Sequence, residues 1–466
     1  MKKASHSALP RRSLSLLLAL SLLFSFVFSA NAAKSSSKIV SDMKVQSDAA
    51  LLVDMDTDVV LYEQNADEKI VPASITKVMT ALLVLEAAER GDLSLKEKVT
   101  AYDDCWFDLD STSSNQNIRP GEKMSVKDLL YCMMVASANE AGNILGERVS
   151  GSVKGFVELM NQRAEQLGCT GTHFSNTHGM PERKHYTTCR DLYLITKAAM
   201  AYSQFREIVK TDEYYVKKTN MSEQRHFFNT NALLSNMKYR GYVYEPCIGI
   251  KTGTTEKGGH NLLSAAEKDG KTLVSVVIGC QTKAKKDGTL EYTHFTESSR
   301  LLQWGFDNFS TITIVDQKQT YGEVPVTLST DADSVAVAPE RSISAELPRD
   351  ITPDSFEMVP SLRASVEAPV HKGDVLGTLV LYLDGREYGA VNLMAVNDVE
   401  ASAFLKRKAM AEDLLGRWYV KAGIGLAAVL LLVLLLRLTL FRRNRRYGSR
   451  RTGRSGGYRG RGRHHW

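Results

Sequence analysis

Pro72-Ala73-Ser74-Ile75-Thr76-Lys77, followed by Val78-Met79-Thr80-Ala81-Leu82-Leu83-Val84-Leu85, is the stretch on which the reading of this chain turns. A proline and a small hydroxyl residue before an apolar run are helix-start signals. The spacing predicts a helix running to about Arg90 and stopping at Gly91. On its first turn positions i and i+3 share a face, so the Lys77 amine reaches the Ser74 hydroxyl. The positive end of the helix favours negative charge forming at the serine. A lysine whose pKa is lowered by burial or by a second cation can act as its base. The Ser-x-x-Lys pattern alone carries no weight, since it recurs at Ser35/Lys38, Ser41/Lys44 and Ser235/Lys238. Context sets Ser74 apart.

Two more elements follow in order. Ser137-Ala138-Asn139 lies 63 residues on. Its hydroxyl can relay a proton and its amide can hold a substrate peptide bond. A turn capping a helix from Glu140 explains the same residues, and Ser113-Ser114-Asn115 matches the pattern too. Lys251-Thr252-Gly253 occurs once, on an expected strand over residues 248–254. There the glycine admits a substrate close to the backbone, and the lysine and threonine can bind a carboxylate. A helix start, an interhelix loop and a strand, in this order, are far more specific together than singly.

On these three elements the chain resembles the low-molecular-mass penicillin-binding proteins, serine-type D-alanyl-D-alanine carboxypeptidases of the serine β-lactamase and D,D-peptidase superfamily. Phe174 to Met180, His185 to Thr188 and Asp191-Leu192 look like that family's loop and helix after the second element, and Ala368 to Gly377 like part of its C-terminal β domain. The resemblance covers about residues 45–400. It implies removal of the terminal D-Ala from peptidoglycan stem peptides ending in D-Ala-D-Ala, with β-lactams as inhibitors. It also implies roles. Ser74 is the nucleophile, Lys77 the general base and Ser137 a proton shuttle. Asn139 holds the substrate backbone, Lys251 and Thr252 bind the terminal carboxylate, and Gly253 lies between them and Thr254. The N–H groups of Ser74 and Thr254 form the oxyanion hole. Asn139-Glu140 and Thr254 depart from the residues many relatives carry, without removing a reacting atom. A D,D-endopeptidase shares every element, and a non-enzymatic penicillin-binding sensor or scaffold is the third reading. A class A β-lactamase would need a Glu-x-x-x-Asn after the second element, and Glu158 to Asn161 has the wrong spacing.

The fold expected is mixed α/β. A catalytic domain over residues 45–310 carries an antiparallel sheet flanked by helices, and a small all-β domain follows over 311–400. A hairpin is expected from Ala49 to Glu63 around the turn Asp54 to Asp58, and another at Asp269-Gly270. Helices are expected over 124–135, 140–149, 156–167 and 293–306. An amphipathic helix over 401–417 leads to a transmembrane helix over 418–441, which reaches about 36 Å. Residues 1–32 read as a signal peptide, with Lys2, Lys3, Arg11 and Arg12 before an apolar core and Ala30-Asn31-Ala32 at the exit. The tail 442–466 holds ten arginines and no acid, which places it in the cytoplasm and the catalytic domain on the extracytoplasmic side of the membrane.

The net charge of +6 misleads about the body of the protein. With the leader's +4 and the +11 of residues 437–466 set aside, residues 33–436 carry −9. The basic tail therefore speaks for anionic lipid headgroups and not for nucleic acid. Six cysteines permit disulfides outside the cell but form no CxxC or His/Cys cluster, so no metal site and no cofactor are expected.

Overall fold

The computed structural model describes residues 42–110, 113–256 and 258–445. The leader and residues 446–466 of the tail lie outside them. By contacts the chain divides into two units. One runs to Val315 and takes in Ser342–Met358 and Leu381–Gly389; the other holds Asp316–Arg341, Val359–Val380 and the residues from Ala390 onward.

The first unit is built on a five-stranded antiparallel sheet in the order β2-β1-β9-β8-β7, with β1 Ala49–Asp54, β2 Val59–Gln64, β7 Cys247–Thr255, β8 Gly259–Lys268 and β9 Lys271–Cys280. All six residues of β1 are buried. Alternation along the strand explains this. Ala49, Leu51 and Val53 join one apolar core, and Ala50 and Leu52 join a second on the opposite face. The β1–β2 turn is held by Asp54, whose Oδ1 accepts the N–H groups of Asp56 and Thr57 at 2.9 and 3.1 Å. The Asp269-Gly270 turn has φ of +53° and +77°, the geometry a two-residue hairpin needs.

Helix α1, Lys77–Glu89, crosses the first core with ten of its thirteen residues buried. It is apolar on every side, as a helix enclosed by others must be. Around it pack α2 Val126–Met134, α3 Asn139–Ser150, α4 Val153–Gln166, α5 Cys189–Met200 and α6 Ser203–Lys210. Helix α7, Thr293–Asn308, covers the other face with Leu301, Leu302 and Phe306. Helix α2 starts two residues later than expected. Lys123–Ser125 (β4) pairs with Lys98–Thr100 (β3), and Ser125 then caps the helix through the Asp128 N–H. Ser152 likewise starts α4 earlier than expected by capping at the Gly155 N–H. A short hairpin of β5 Glu213–Val216 and β6 Arg225–Phe228 was not expected from sequence. The strands Phe309–Val315 and Ile343–Pro348 pair within this unit.

In the second unit Glu323–Thr327 pairs antiparallel with Ser334–Pro339 and parallel with Val366–Glu367. Helices Ala403–Gly416 and Trp418–Arg445 follow. No residue of the first is buried, and its apolar residues Phe404, Leu405, Met410 and Leu414 are spread around the axis rather than gathered on one face. Trp418–Leu438 is long and apolar enough to cross a membrane, and none of it is buried. All six cysteines are free thiols, five of them buried.

Candidate active site

Ser74 sits in a one-turn 3-10 helix, Ala73–Thr76, that runs into α1. Ala73 is left-handed at φ +51°, so the turn needs external support. Thr76 Oγ1 donates to Ala73 O at 2.8 Å. His185 Nε2 lies 2.8 Å from the same hydroxyl. The Ser175 N–H donates to His185 Nδ1 at 3.0 Å, so the ring proton sits on Nε2 and is given to Thr76. Gly179 closes the turn from outside. At φ +95° a Cβ there would fall 1.8 Å from Ala73 O.

Lys77 is buried, and its amine lies 2.9 Å from Ser74 Oγ, 2.6 Å from Asn139 Oδ1 and 2.8 Å from His178 O. Burial, and secondarily the charge of Lys251, push its pKa well below the usual lysine value, with Glu140 opposing. The two carbonyl oxygens can only accept. In the neutral amine they take the two N–H bonds, and the lone pair is left facing the Ser74 hydroxyl.

Ser137 is left-handed at φ +64° and buried in the turn before α3. The Asn139 N–H donates to Ser114 O at 2.9 Å. Glu140 Oε1 accepts the N–H groups of Gln116 and Ile118 at 2.7 and 3.3 Å, and burial raises its pKa. The loop of residues 113–122 is thus strapped to the start of α3. Arg225 holds its far end through a bidentate pair with Glu122 at 2.7 and 2.9 Å.

On β7, Lys251 is 1% exposed and its amine donates to Thr252 O at 3.2 Å. Burial, then the charge of Lys238, bring its pKa down to about 7. Thr252 Oγ1 donates to Thr230 Oγ1 at 2.6 Å, and Thr254 Oγ1 lies 3.2 Å from His260 Nδ1. A Cβ on Gly253 would stand 3.0 Å from Pro72 O and 3.3 Å from Ser74 N. The glycine therefore admits the Ser74 turn to the strand. Sequence reasoning assigned that closeness to substrate.

Residues 35–282 match the family described as D-alanyl-D-alanine carboxypeptidase, more than half of the chain. The chain belongs to that family. Residues 309–401 of this carboxypeptidase match the C-terminal domain of penicillin-binding protein 5. The D-alanyl-D-alanine carboxypeptidase DacC of Escherichia coli is 32% identical over 390 residues, 82% of this chain and 92% of that protein. DacF of Bacillus subtilis is 30% identical over 396 residues, 85% of this chain and 96% of that protein. Among solved structures, penicillin-binding protein 5 of Haemophilus influenzae is 28% identical with a TM-score of 0.56, covering 77% of this chain and 98% of that one.

In the carboxypeptidase, Ser74, Ser137, Thr252, Gly253 and Thr254 line one cleft of about 530 Å³. Lys77, Asn139 and Lys251 lie behind its surface. Sequence reasoning missed the rest of the lining, where Thr230, Lys238, Tyr239, His260, His294 and Phe295 face the same space. It also missed the His178 carbonyl, because a backbone acceptor has no sequence signature. Ser114 and Lys238 belonged to repeats of the short patterns, and each lines this cleft. Among the described residues no group of three His, Cys, Asp or Glu is placed to hold a metal.

Proposed function

We propose that this chain works as a serine D,D-carboxypeptidase, with Ser74 and Lys77 carrying the reaction. The Lys77 amine, 2.9 Å from Ser74 Oγ and bonded on its other sides by Asn139 Oδ1 and His178 O, is the observation that carries this reading. Ser74 Oγ bonds to the carbonyl carbon between the two D-Ala residues while its proton passes to Lys77. The oxyanion is held by the Ser74 and Thr254 N–H groups. The C–N bond then breaks as Ser137 gives its hydroxyl proton to the departing amine of D-alanine and takes the proton held by Lys77 in return. Water cleaves the ester and frees Ser74. β-Lactams acylate the same Ser74 hydroxyl, and the ester they leave hydrolyses slowly. Asn139 fixes the Lys77 amine and holds the substrate backbone. Thr252 meets the terminal carboxylate, with Lys251 buried next to it on the same strand.

Residues 45–310 form the catalytic domain and 311–400 the β domain in this reading. Trp418–Leu438 anchors the protein, with the cleft on the extracytoplasmic side where peptidoglycan peptides lie. The leader, the flanking aromatics and the arginine tail support that sidedness. The test is D-alanine release from diacyl-L-Lys-D-Ala-D-Ala by the full-length protein in detergent, beside Ser74→Ala. Release abolished by the substitution is expected. Release that persists in the variant would remove Ser74 from the mechanism.

A further inference from the structure

We propose that Lys238 is the cation that captures the terminal carboxylate of the substrate, making it the residue that restricts the enzyme to free C-termini. This rests on the carboxypeptidase reading and names a residue within it that the three sequence elements do not contain.

The lysine of the third element is poorly placed to make a direct contact. Lys251 is buried, its amine is turned to the Thr252 carbonyl, and it is absent from the cleft lining. With its pKa brought down to about 7, much of it is neutral at neutral pH. Lys238 does line the cleft, as Thr230 and Thr252 do. Among the described residues no carboxylate contributes to its electrostatics; desolvation alone lowers its pKa. Among the described residues no Asp or Glu lines the cleft. The charge of Lys238 bears on Lys251, and an anion entering the cleft offsets it.

The segment that carries Lys238 is fixed. It leaves β6 through Asn229, whose amide donates to Thr211 O at 2.8 Å, and Asn231, whose Oδ1 accepts the Leu233 N–H at 3.0 Å. Asn236 Oδ1 accepts the Gly241 N–H at 2.8 Å and closes a turn around the lysine. The next residue, Tyr239, packs its ring 4.5 Å from Tyr292 and 5.7 Å from Phe295. A long cation rooted beside a packed aromatic is held at the cleft without being buried.

The experiment compares diacyl-L-Lys-D-Ala-D-Ala with its C-terminal amide. The same bond is cut in both, and only the charge at the end differs. The full-length enzyme in detergent is assayed as wild type, Lys238→Met, Lys238→Gln and Lys238→Arg. The quantity read is the ratio of kcat/KM for acid over amide. It is internal to each preparation, so partial misfolding does not move it. A charge-assisted bond lost at the carboxylate lowers this ratio by about 10- to 100-fold in the Met and Gln variants, and Arg restores most of it. A ratio equal to wild type in Met and Gln, whether both rates fall together or neither does, overturns the proposal. Wild type that cuts neither substrate would instead bring down the carboxypeptidase reading itself, before any Lys238 variant is considered.

Discussion

Lys77 holds the chemistry together at the scale of single residues. Replacing it with Ala removes the base, and a decrease of about 10²- to 10⁴-fold in penicillin acylation of Ser74 is expected. The pH profile carries the sign. A buried lysine titrates low, so the neutral, active amine grows as pH rises through its folded pKa. Acylation reaches half its plateau well below pH 10.5, the ordinary lysine value. A midpoint at or above that value in stopped-flow acylation would rule Lys77 out as the base. Ser74, Lys77, Ser137 and Asn139 were legible in the sequence because short spacings on a helix start and a turn translate directly into proximity. Lys238 was legible only as a pattern repeat, since its place in the cleft depends on a loop whose path no local signal encodes.

Gly179 decides the fate of the nucleophile turn at the scale of elements. Its Cβ position falls inside Ala73 O, and its φ of +95° strains any other residue. Gly179→Ala is expected to cost more than about 3 kcal/mol, or to displace Ser74 and abolish acylation. Urea unfolding and penicillin labelling measure the two effects. His185 clamps the same turn as a neutral ring, and burial brings its pKa down to about 4. Unfolded histidine titrates near 6.5, so between those values the unfolded chain binds the extra proton. Stability therefore falls as pH drops from about 6.5 toward 4, by about 3 kcal/mol, and the slope is smaller in His185→Asn. An unchanged slope in that variant would place the acid sensitivity elsewhere, for instance at the buried His294. The strands of the central sheet and the helices α1 to α4 and α7 were readable from period and caps, whereas α6 and the short β3–β4 and β5–β6 pairs were not. The start of α2, two residues late, and that of α4, three residues early, arose where a serine cap or a short strand pairing outweighed the apolar pattern.

For the molecule as a whole, contacts divide after Val315 and return Ser342–Met358 and Leu381–Gly389 to the first unit, whereas the sequence pattern turns all-β from residue 311. Glu346 is buried in the first unit, where Lys271 reaches its Oε1 at 2.5 Å and Thr311 donates to its Oε2 at 2.7 Å. Ending the chain at residue 310 leaves Lys271 without its carboxylate and uncovers the face beneath Phe309. A fall in melting temperature relative to the full chain is expected, by scanning calorimetry. Ending it before Trp418 is expected to release the protein from the membrane fraction with its acylation rate intact. Sequence texture shows where residue composition changes, whereas the packing of Ile343–Pro348 on Phe309–Val315 is a long-range pairing that composition does not display. The unbridged cysteines carry a different consequence. Cys132 sits on α2, Cys189 at the start of α5, Cys247 on the strand of the cleft and Cys280 at the end of β9, all shielded from solvent. Each sulfur is silent toward an alkylating reagent until its own layer breathes. A timed maleimide pulse followed by mass spectrometry would turn these four atoms into a map of which part of the enzyme loosens first, and of how far a penicillin ester on Ser74 quiets that motion.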